Sequence, residues 1–447
     1  MSGRSQLVVL VVIAAIALAG SRAASIGSAV TWREPIEVAS GAAFRGPWRM
    51  NDSVFDFVDD PTVAIDNRGQ VGVVWADHSR KDIFFQRYGP DGKAQLDAPV
   101  NVSRSPRIFS WLPRLVLPVN EPMAVYILWQ EIVFSGGSHG GDIFFARSVD
   151  GGRSFNGPVN LSNSPAGDGK GRLSVEHWHN GSLDLVQGPS GHLHVAWTEY
   201  EGRLWYRRST DGGGSFSKPL LVAGGEGAKP ARGPALAVGD RGTVYMAWTV
   251  GEDPAAGIRM VRSTNGGQSF GEPRIVTPSR AHGDAPKMAV DSRGTVHLVY
   301  AENPTGPSGR YPVLYTRRAE GAQAFEAPRT ISALPGVQPV GAGFPALGLD
   351  GADRLHVVWE LFPAGTGRPR GLGMTTSTDG GATFTAASIV PGTGDPRDGF
   401  NGSQQGLLMR KLAVNASGAI AVVNSTFQAD GGSRVRLFRG QLEEASR

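Results

Sequence analysis

Ser209-Thr210-Asp211-Gly212-Gly213-Gly214-Ser215-Phe216 is a turn written in residues that suit little else. It recurs as Ser148-Val149-Asp150-Gly151-Gly152-Arg153-Ser154-Phe155, as Ser263-Thr264-Asn265-Gly266-Gly267-Gln268-Ser269-Phe270, and as Ser377-Thr378-Asp379-Gly380-Gly381-Ala382-Thr383-Phe384. An Asp-Gly or Asn-Gly pair between apolar runs favours a hairpin, because Gly takes positive φ without a steric penalty and Asp or Asn tolerate it. The Asp or Asn side chain accepts from N–H groups further along the turn, and the Ser and Thr hydroxyls answer the remaining donors. The closing Phe needs an apolar surface, worth about 1.5–3 kcal/mol when fully covered. Repetition of such a unit at a long period is the mark of a repeat architecture.

The octapeptide resembles the Asp box (S-x-D-x-G-x-T/S-W/F), or BNR repeat, of the sialidase-like propellers. In that family the box is a structural turn away from the active site. The resemblance therefore implies a fold before it implies an activity.

A second segment precedes each octapeptide. Pro234-Ala235-Leu236-Ala237-Val238-Gly239-Asp240-Arg241-Gly242-Thr243-Val244-Tyr245-Met246-Ala247-Trp248 reads as strand, turn, strand, and its counterparts end at Trp75, Trp129, Trp197, Tyr300 and Trp359. A seventh, 411–424, keeps the pattern and ends on Asn424. A third strand enters the octapeptide, as in Ile143-Phe144-Phe145-Ala146-Arg147, and a fourth follows it, as in Pro219-Leu220-Leu221-Val222-Ala223. Four antiparallel strands per unit make a propeller blade. Degenerate octapeptides stand at Pro90-Asp91-Gly92-Lys93 and around Glu320-Gly321 before Phe325, giving one turn fewer than hairpins. Thr31-Trp32-Arg33-Glu34-Pro35-Ile36-Glu37-Val38 is a fourth strand without a blade of its own, while the last unit, 407–439, has only three. The expectation is an all-β propeller of seven four-stranded antiparallel blades, with the N-terminal strand completing the last. Six blades, the number in the sialidases it resembles, is the runner-up.

The chain has 447 residues, with 62 Gly, 30 Pro, no Cys and 19% charged residues, which suits many short strands joined by turns. Without Cys, stability must come from packing and ring closure. The formal charge of +4 is small and the basic residues are scattered, so nucleic acid is not an expected partner. Residues 1–23 read as a secretory signal: Arg4, then an apolar run over 7–19 too short to span a bilayer comfortably, then Ser21-Arg22-Ala23 as a cleavage site. Residues 24–447 form a single propeller domain, secreted or periplasmic, with no transmembrane span after cleavage. Asn-x-Ser/Thr triplets such as Asn160-Leu161-Ser162 are glycosylation acceptors only in a host that glycosylates.

Strand alternation puts the first-to-second turns and the octapeptides at one end of the ring. The second-to-third loops and blade-to-blade connections lie at the other. The first end is short and repetitive, as in Asp291-Ser292-Arg293-Gly294; the second has dissimilar loops at 132–142, 251–257, 302–310 and 361–371. Binding residues concentrate on variable loops held by a rigid scaffold, so the site is expected there, near the channel. Of nine His, His194, His297 and His356 repeat three residues before the strand-ending aromatic and read as framework. His78, His139, His177, His179 and His282 fall at the loop-rich end. Acids recur after the aromatic, at Asp77, Glu131, Glu199, Glu302 and Glu360. Paired carboxylates around a channel suit general acid–base chemistry, and solvated strand ends are the plainer reading. Glu176-His177-Trp178-His179-Asn180 is the densest polar cluster, suited to a sugar-binding rim with Trp178 as a stacking platform. Its His-x-His spacing is weak as a metal signature, and no spaced acidic loop of the kind calcium needs is seen, so no cofactor is expected.

Catalytic sialidases carry three arginines that clamp a carboxylate, an Asp acid/base and a Tyr–Glu nucleophile pair. The Arg-Ile-Pro motif of that family is approached only by Phe44-Arg45-Gly46-Pro47, which lacks the Ile. Arg45, Arg107, Arg232 and Arg280 lie at the loop-rich end and suit an acidic sugar. Asp284 lies beside His282 there, and Tyr200 and Tyr311 are candidate nucleophiles by location alone. Three readings follow: recognition of a glycan or cell-envelope ligand, a sialidase-type exo-glycoside hydrolase, and a non-catalytic protein-interaction scaffold. Oligomeric state is not legible.

Overall fold

A computed structural model describes residues 30–47, 49, 51–132, 141–162, 183–199, 202–225, 227–251, 256–276, 281–303, 312–335, 341–363, 367–402, 409–428 and 431–443. The signal-like segment and the Glu176–Asn180 cluster lie outside them. Among the described residues, seven antiparallel sheets of four or more strands follow one another along the chain, with a small two-stranded sheet of Phe44–Arg45 and Phe55–Asp56 beside them. Their innermost strands are Val58–Ile65, Ser110–Val116, Leu183–Gln187, Ala231–Val238, His282–Val290, Gly341–Leu349 and Leu412–Val414. Each packs on the next, and Leu412–Val414 packs on Val58–Ile65, so the ring closes. This is a seven-bladed propeller.

Closure uses both termini. The long last strand Ser433–Leu442 pairs with Val30–Trp32, in the register Val30↔Leu442, and with Ile36–Gly41, in the register Ile36↔Leu437. The N-terminal strand thus supplies the outer edge of blade 7 and covers an edge that would otherwise stand unpaired.

The core lies between blades. Trp129, Trp197 and Trp359 are fully buried. One apolar cluster joins Ala421, Val423, Val435 and Leu437 of blade 7 to Val58, Val63, Val73 and Trp75 of blade 1. The octapeptide makes the same kind of joint. Ser209 Oγ donates to Asp211 Oδ1 (2.7 Å) and accepts from Gly213 N (2.8 Å), while Ser215 N and Oγ donate to the two Asp211 oxygens (2.9 and 2.7 Å). Ser148/Asp150 and Ser377/Asp379 repeat the pattern. The turn then sets its Phe edge-on against an aromatic of the preceding blade: Phe216 on Phe145 (5.1 Å), Phe270 on Tyr206 (4.9 Å), Phe384 on Tyr315 (4.8 Å). His194 and His297 hydrogen-bond the hydroxyls of Tyr206 and Tyr315, a framework use of the repeated His.

The octapeptides and first-to-second turns share one end: Gly151 N donates to Met123 O (2.7 Å), and a shallow cavity of about 280 Å³ is lined by Glu121, Ser190, Gly191, Thr210 and Asp211.

Candidate functional site

The innermost strands share a device at the loop-rich end. Asp60-Pro61, Leu112-Pro113, Gly233-Pro234, Ala285-Pro286 and Phe344-Pro345 each sit where the register to the second strand skips. Proline has no N–H to give the ladder, so the pair bulges out of it. The residue before Pro takes positive φ each time: Asp60 54°, Leu112 60°, Gly233 57°, Ala285 49°, Phe344 49°. For the non-glycine residues this conformation costs on the order of 1–3 kcal/mol, a strain found where a site is shaped.

The position opposite the residue before the aromatic faces the channel. Thr62, Arg114 and Lys287 hold it just past the bulge in blades 1, 2 and 5, opposite Val74, Leu128 and Val299, and Asp184 holds the same register in blade 3, opposite Ala196. Asp184 Oδ1 pairs with Arg410 Nη2 of blade 7 (2.7 Å) and stands 3.9 Å from Arg114 Nε, while its Oδ2 accepts from Leu236 N of blade 4 (2.8 Å). Arg114, nearly fully buried, also donates to Pro113 O (3.2 Å) and to Met409 Sδ (3.0 Å). One carboxylate thus ties together four blades. Burial opposes its charge, yet Arg410, Lys287 and Arg114 outweigh that and hold its pKa below the usual value. Asp60, a bulge residue, behaves oppositely. Burial and the adjoining Asp59 carboxylate push its carboxyl well above the ordinary range.

Two clusters form the rim. In the first, the Arg45 guanidinium stands 5.8 Å from the Phe55 and Phe57 ring centroids. Phe57 stacks on His78 (4.1 Å) and meets Phe427 edge-on (5.2 Å), and Arg368 covers Phe427 (5.6 Å). His78 is buried, and neither ring nitrogen has a hydrogen-bond partner among the described residues. Burial pushes its pKa down to about 4, against the pull of Asp59, so the ring is neutral at pH 7. Asp59 accepts from Ser425 Oγ of blade 7 (2.5 Å). In the second cluster, Arg232 Nη2 lies 3.3 Å from Asp284 Oδ1 and 3.3 Å from the buried His282 Nε2. Asp284 also accepts from Thr249 Oγ1 (3.3 Å) and Ala285 N (2.8 Å).

The acids after the aromatics lie at the ends of second strands, one row outside the channel. Trp129 Nε1 donates to Glu131 (3.0 Å), Trp197 Nε1 to Glu199 (3.1 Å) and Tyr300 OH to Glu302 (3.5 Å), so these carboxylates serve the aromatics beside them. Burial raises the Glu131 pKa. Asp77 caps a turn, accepting from Ser79 N and Oγ and from Arg80 N. Glu360 is fully buried against Lys411 and Asn401, and Asn401 in turn accepts from Asn424, the residue that replaces the aromatic in blade 7. Arg107 is exposed on the connection from blade 1 to blade 2, at φ 75°. His139, Glu176, His177, Trp178, His179, Tyr200, Arg280 and Tyr311 lie outside the described residues. Among the described residues no three His, Asp or Glu side chains gather in a way that could hold a metal ion.

No protein-family model matches this chain, and no curated protein matches it. Solved structures do. A polysaccharide lyase of family PL25, an ulvan lyase bound to -[GlcA(1-4)Rha3S]-, is 12% identical over 90% of this chain and 95% of its own, with a TM-score of 0.54. The GH93 α-L-arabinofuranosidase of Fusarium graminearum, in complex with arabinobiose, is 13% identical over 91% and 97%, at 0.50. A Hadza microbial sialidase is 12% identical over 74% and 66%, at 0.43. At fold level the chain resembles the sialidase-like propellers. In this propeller the channel residues Arg114, Asp184, Lys287 and Arg410, and the rim residues His78's partner Phe57 and Arg368, were not legible as a set. The available signal was the proline recurring in the first strand of five of the seven hairpins, with a charged residue after it in Pro113-Arg114 and Pro286-Lys287.

Proposed function

We propose that this propeller recognises an acidic glycan at the loop-rich mouth of its channel. The observation that carries the reading is the gathering of cationic groups there from separate blades. Arg45, Arg368 and Arg232 stand on the rim, with Arg410 and Lys287 below them, while Glu131, Glu199 and Glu360 are engaged by their own neighbours. Guanidinium groups suit carboxylate and sulfate, and the Phe55, Phe57 and Phe427 rings beside them give a sugar ring an apolar surface. The ulvan lyase, a fold neighbour, was solved with an oligosaccharide of glucuronate and sulfated rhamnose, an acidic glycan of this kind. The signal-like composition of residues 1–23 supports export, and envelope and environmental glycans are found outside the cytoplasm.

A second reading, an exo-acting glycoside hydrolase of sialidase type, is favoured by Asp60. Burial and the adjoining Asp59 carboxylate raise its pKa well above the ordinary range, the direction that suits a proton donor. A panel of acidic and neutral oligosaccharides and fluorogenic glycosides, sialosides included, tests both. Binding confined to acidic members and weakened about tenfold or more in Arg45→Ala or Arg232→Ala supports recognition. Turnover lost in Asp60→Asn promotes the hydrolase. Binding to neutral and acidic members alike would sink the acidic-glycan reading.

A further inference from the structure

Two equivalent joints at the tight-turn end hold cavities of different charge. Between blades 2 and 3 the cavity of about 280 Å³ is lined by Glu121, Asp211 and Arg147. Between blades 7 and 1 a cavity of about 250 Å³ is lined by Arg33, Arg68, Pro90, Asn415, Arg439 and Gln441, and no Asp or Glu stands in its described wall. A third-strand arginine ties such joints as a matter of framework. Arg147 Nη1 donates to Gly212 O (3.0 Å), Arg208 Nη1 to Gly266 O (3.2 Å), Arg317 Nη1 to Gly380 O (2.6 Å) and Arg439 Nη1 to Pro90 O (3.1 Å). At the joint of blades 7 and 1 a second guanidinium arrives, because the N-terminal segment crosses there. Arg33 Nη1 donates to the same Pro90 carbonyl (2.8 Å). Neither Arg33 nor Arg439 forms an ion pair with a described residue, and Arg439 Nε is buried with no hydrogen-bond partner among them. Arg68 is engaged elsewhere, by Asp66 (3.7 Å) and by Pro122 O (3.3 Å).

We propose that the cavity at the joint of blades 7 and 1 is a binding site for one tetrahedral oxyanion, a sulfate or phosphate group, held between the Arg33 and Arg439 guanidinium groups. A guanidinium carries five N–H donors in a planar fork, and here two forks converge on one neutral acceptor. The Pro90 carbonyl answers one N–H from each. An oxyanion brings several charged oxygens and suits the remaining donors. The two cations feel one another: burial and then Arg33 lower the Arg439 pKa, against the pull of Asp91. The Asp91 carboxylate is taken up by its own turn, accepting from Lys93 N (3.0 Å) and pairing with Lys93 Nζ (3.6 Å). Gly92 makes room for the arrangement, since a Cβ there would lie 2.2 Å from Arg439 Nη2. An anion in this place bridges the N-terminal segment, the last strand of blade 7 and the turn of blade 1, so it stabilises ring closure as it binds.

The site lies at the opposite end of the ring from the channel mouth and does not rest on the glycan reading. The full chain is titrated by calorimetry with sodium sulfate at constant ionic strength, and its amide hydrogen exchange is read with and without sulfate. Sulfate is expected to bind, to raise the melting temperature and to slow exchange at 67–69, 89–93 and 415–419. Arg33 is exposed and makes one hydrogen bond, so Arg33→Gln is expected to melt with the wild type in the absence of sulfate. The same variant should weaken sulfate binding at least tenfold, and Arg33→Lys, which keeps the charge, should bind more tightly than Arg33→Gln. Arg45→Ala should leave this binding unchanged, which separates failure at the rim from failure at the joint. Glucose 6-sulfate that competes with inorganic sulfate extends the site to sulfate esters; sulfate binding without competition assigns it to the free ion. Either result keeps the site. The proposal is overturned if sulfate does not bind, or if Arg33→Gln binds it as tightly as the wild type.

Discussion

Arg410 and Asp184 meet across the channel, Nη2 to Oδ1 at 2.7 Å, although they stand on blades 7 and 3. Asp184 is 1% exposed and fully coordinated, so the pair cannot be loosened without stranding a charge. Removing one member of a buried pair costs on the order of 3–5 kcal/mol. Asp184→Asn should therefore lower the melting temperature markedly at pH 7. The folded carboxyl sits below its unfolded value, so its stabilisation is complete above about pH 4 and is lost as pH falls further. Melting curves at pH 7 and pH 3 should show the variant's deficit shrinking in acid. A deficit that stays constant would deny the pair its electrostatic role.

Two adjacent glycines in one turn separate conformational strain from collision. Gly266 and Gly267 both have positive φ, 65° and 82°. A Cβ on Gly266 would meet nothing nearer than Arg208 Nη1 at 3.8 Å, whereas one on Gly267 would lie 1.8 Å from the Tyr206 hydroxyl oxygen of the preceding blade. Gly266→Ala should cost about 1 kcal/mol. Gly267→Ala should cost several times that, because the inter-blade joint must open. Equal melting temperatures for the two variants would contradict the joint.

Ring closure predicts a large effect from a short truncation. A chain that begins after residue 41 loses both N-terminal strands and exposes the edge of Ser433–Leu442. It should melt many degrees lower and associate through that edge, as read by calorimetry and sedimentation. A truncated chain that is monomeric and as stable as one beginning at residue 24 would remove the closure from the stability argument.

His78 gives a pH signature. Its folded pKa, about 4, lies below the unfolded value near 6.5, so its contribution is complete above pH 6.5 and is lost as pH falls toward 4. His78→Phe should flatten the fall in melting temperature across that window while leaving pH 7 to 8 unchanged. A residual slope should remain, because burial also lowers the His194 pKa to about 4.

The architecture was legible because repeat turns use residues chosen for backbone geometry. Asp211, Gly213 and Ser215 announce their hydrogen bonds in their spacing, and Trp75 through Trp359 mark the second strands of the first six blades, which end one to three residues later. Even closure could be read, from a strand at 31–38 with no blade and a blade with no fourth strand. The site was less legible because its parts are distant in sequence and ordinary in type. Glu131 and Glu199 look like a ring of acids in the repeat, yet an indole two residues earlier takes each of them. Arg114 and Lys287 look like solvated charges until the bulge at Pro113 and Pro286 turns the strand and aims them at Asp184. Only the closed ring brings them within reach of one another.

Amide hydrogen exchange of the full chain, with and without an oligosaccharide carrying glucuronate and sulfate, tests the placement of the ligand at the mouth most directly. Exchange should slow at 55–58, 231–232 and 281–283, and stay unchanged at the tight-turn end, 188–193 and 239–243. Protection at the tight-turn end instead, or none at either end, would contradict a glycan site at the channel mouth.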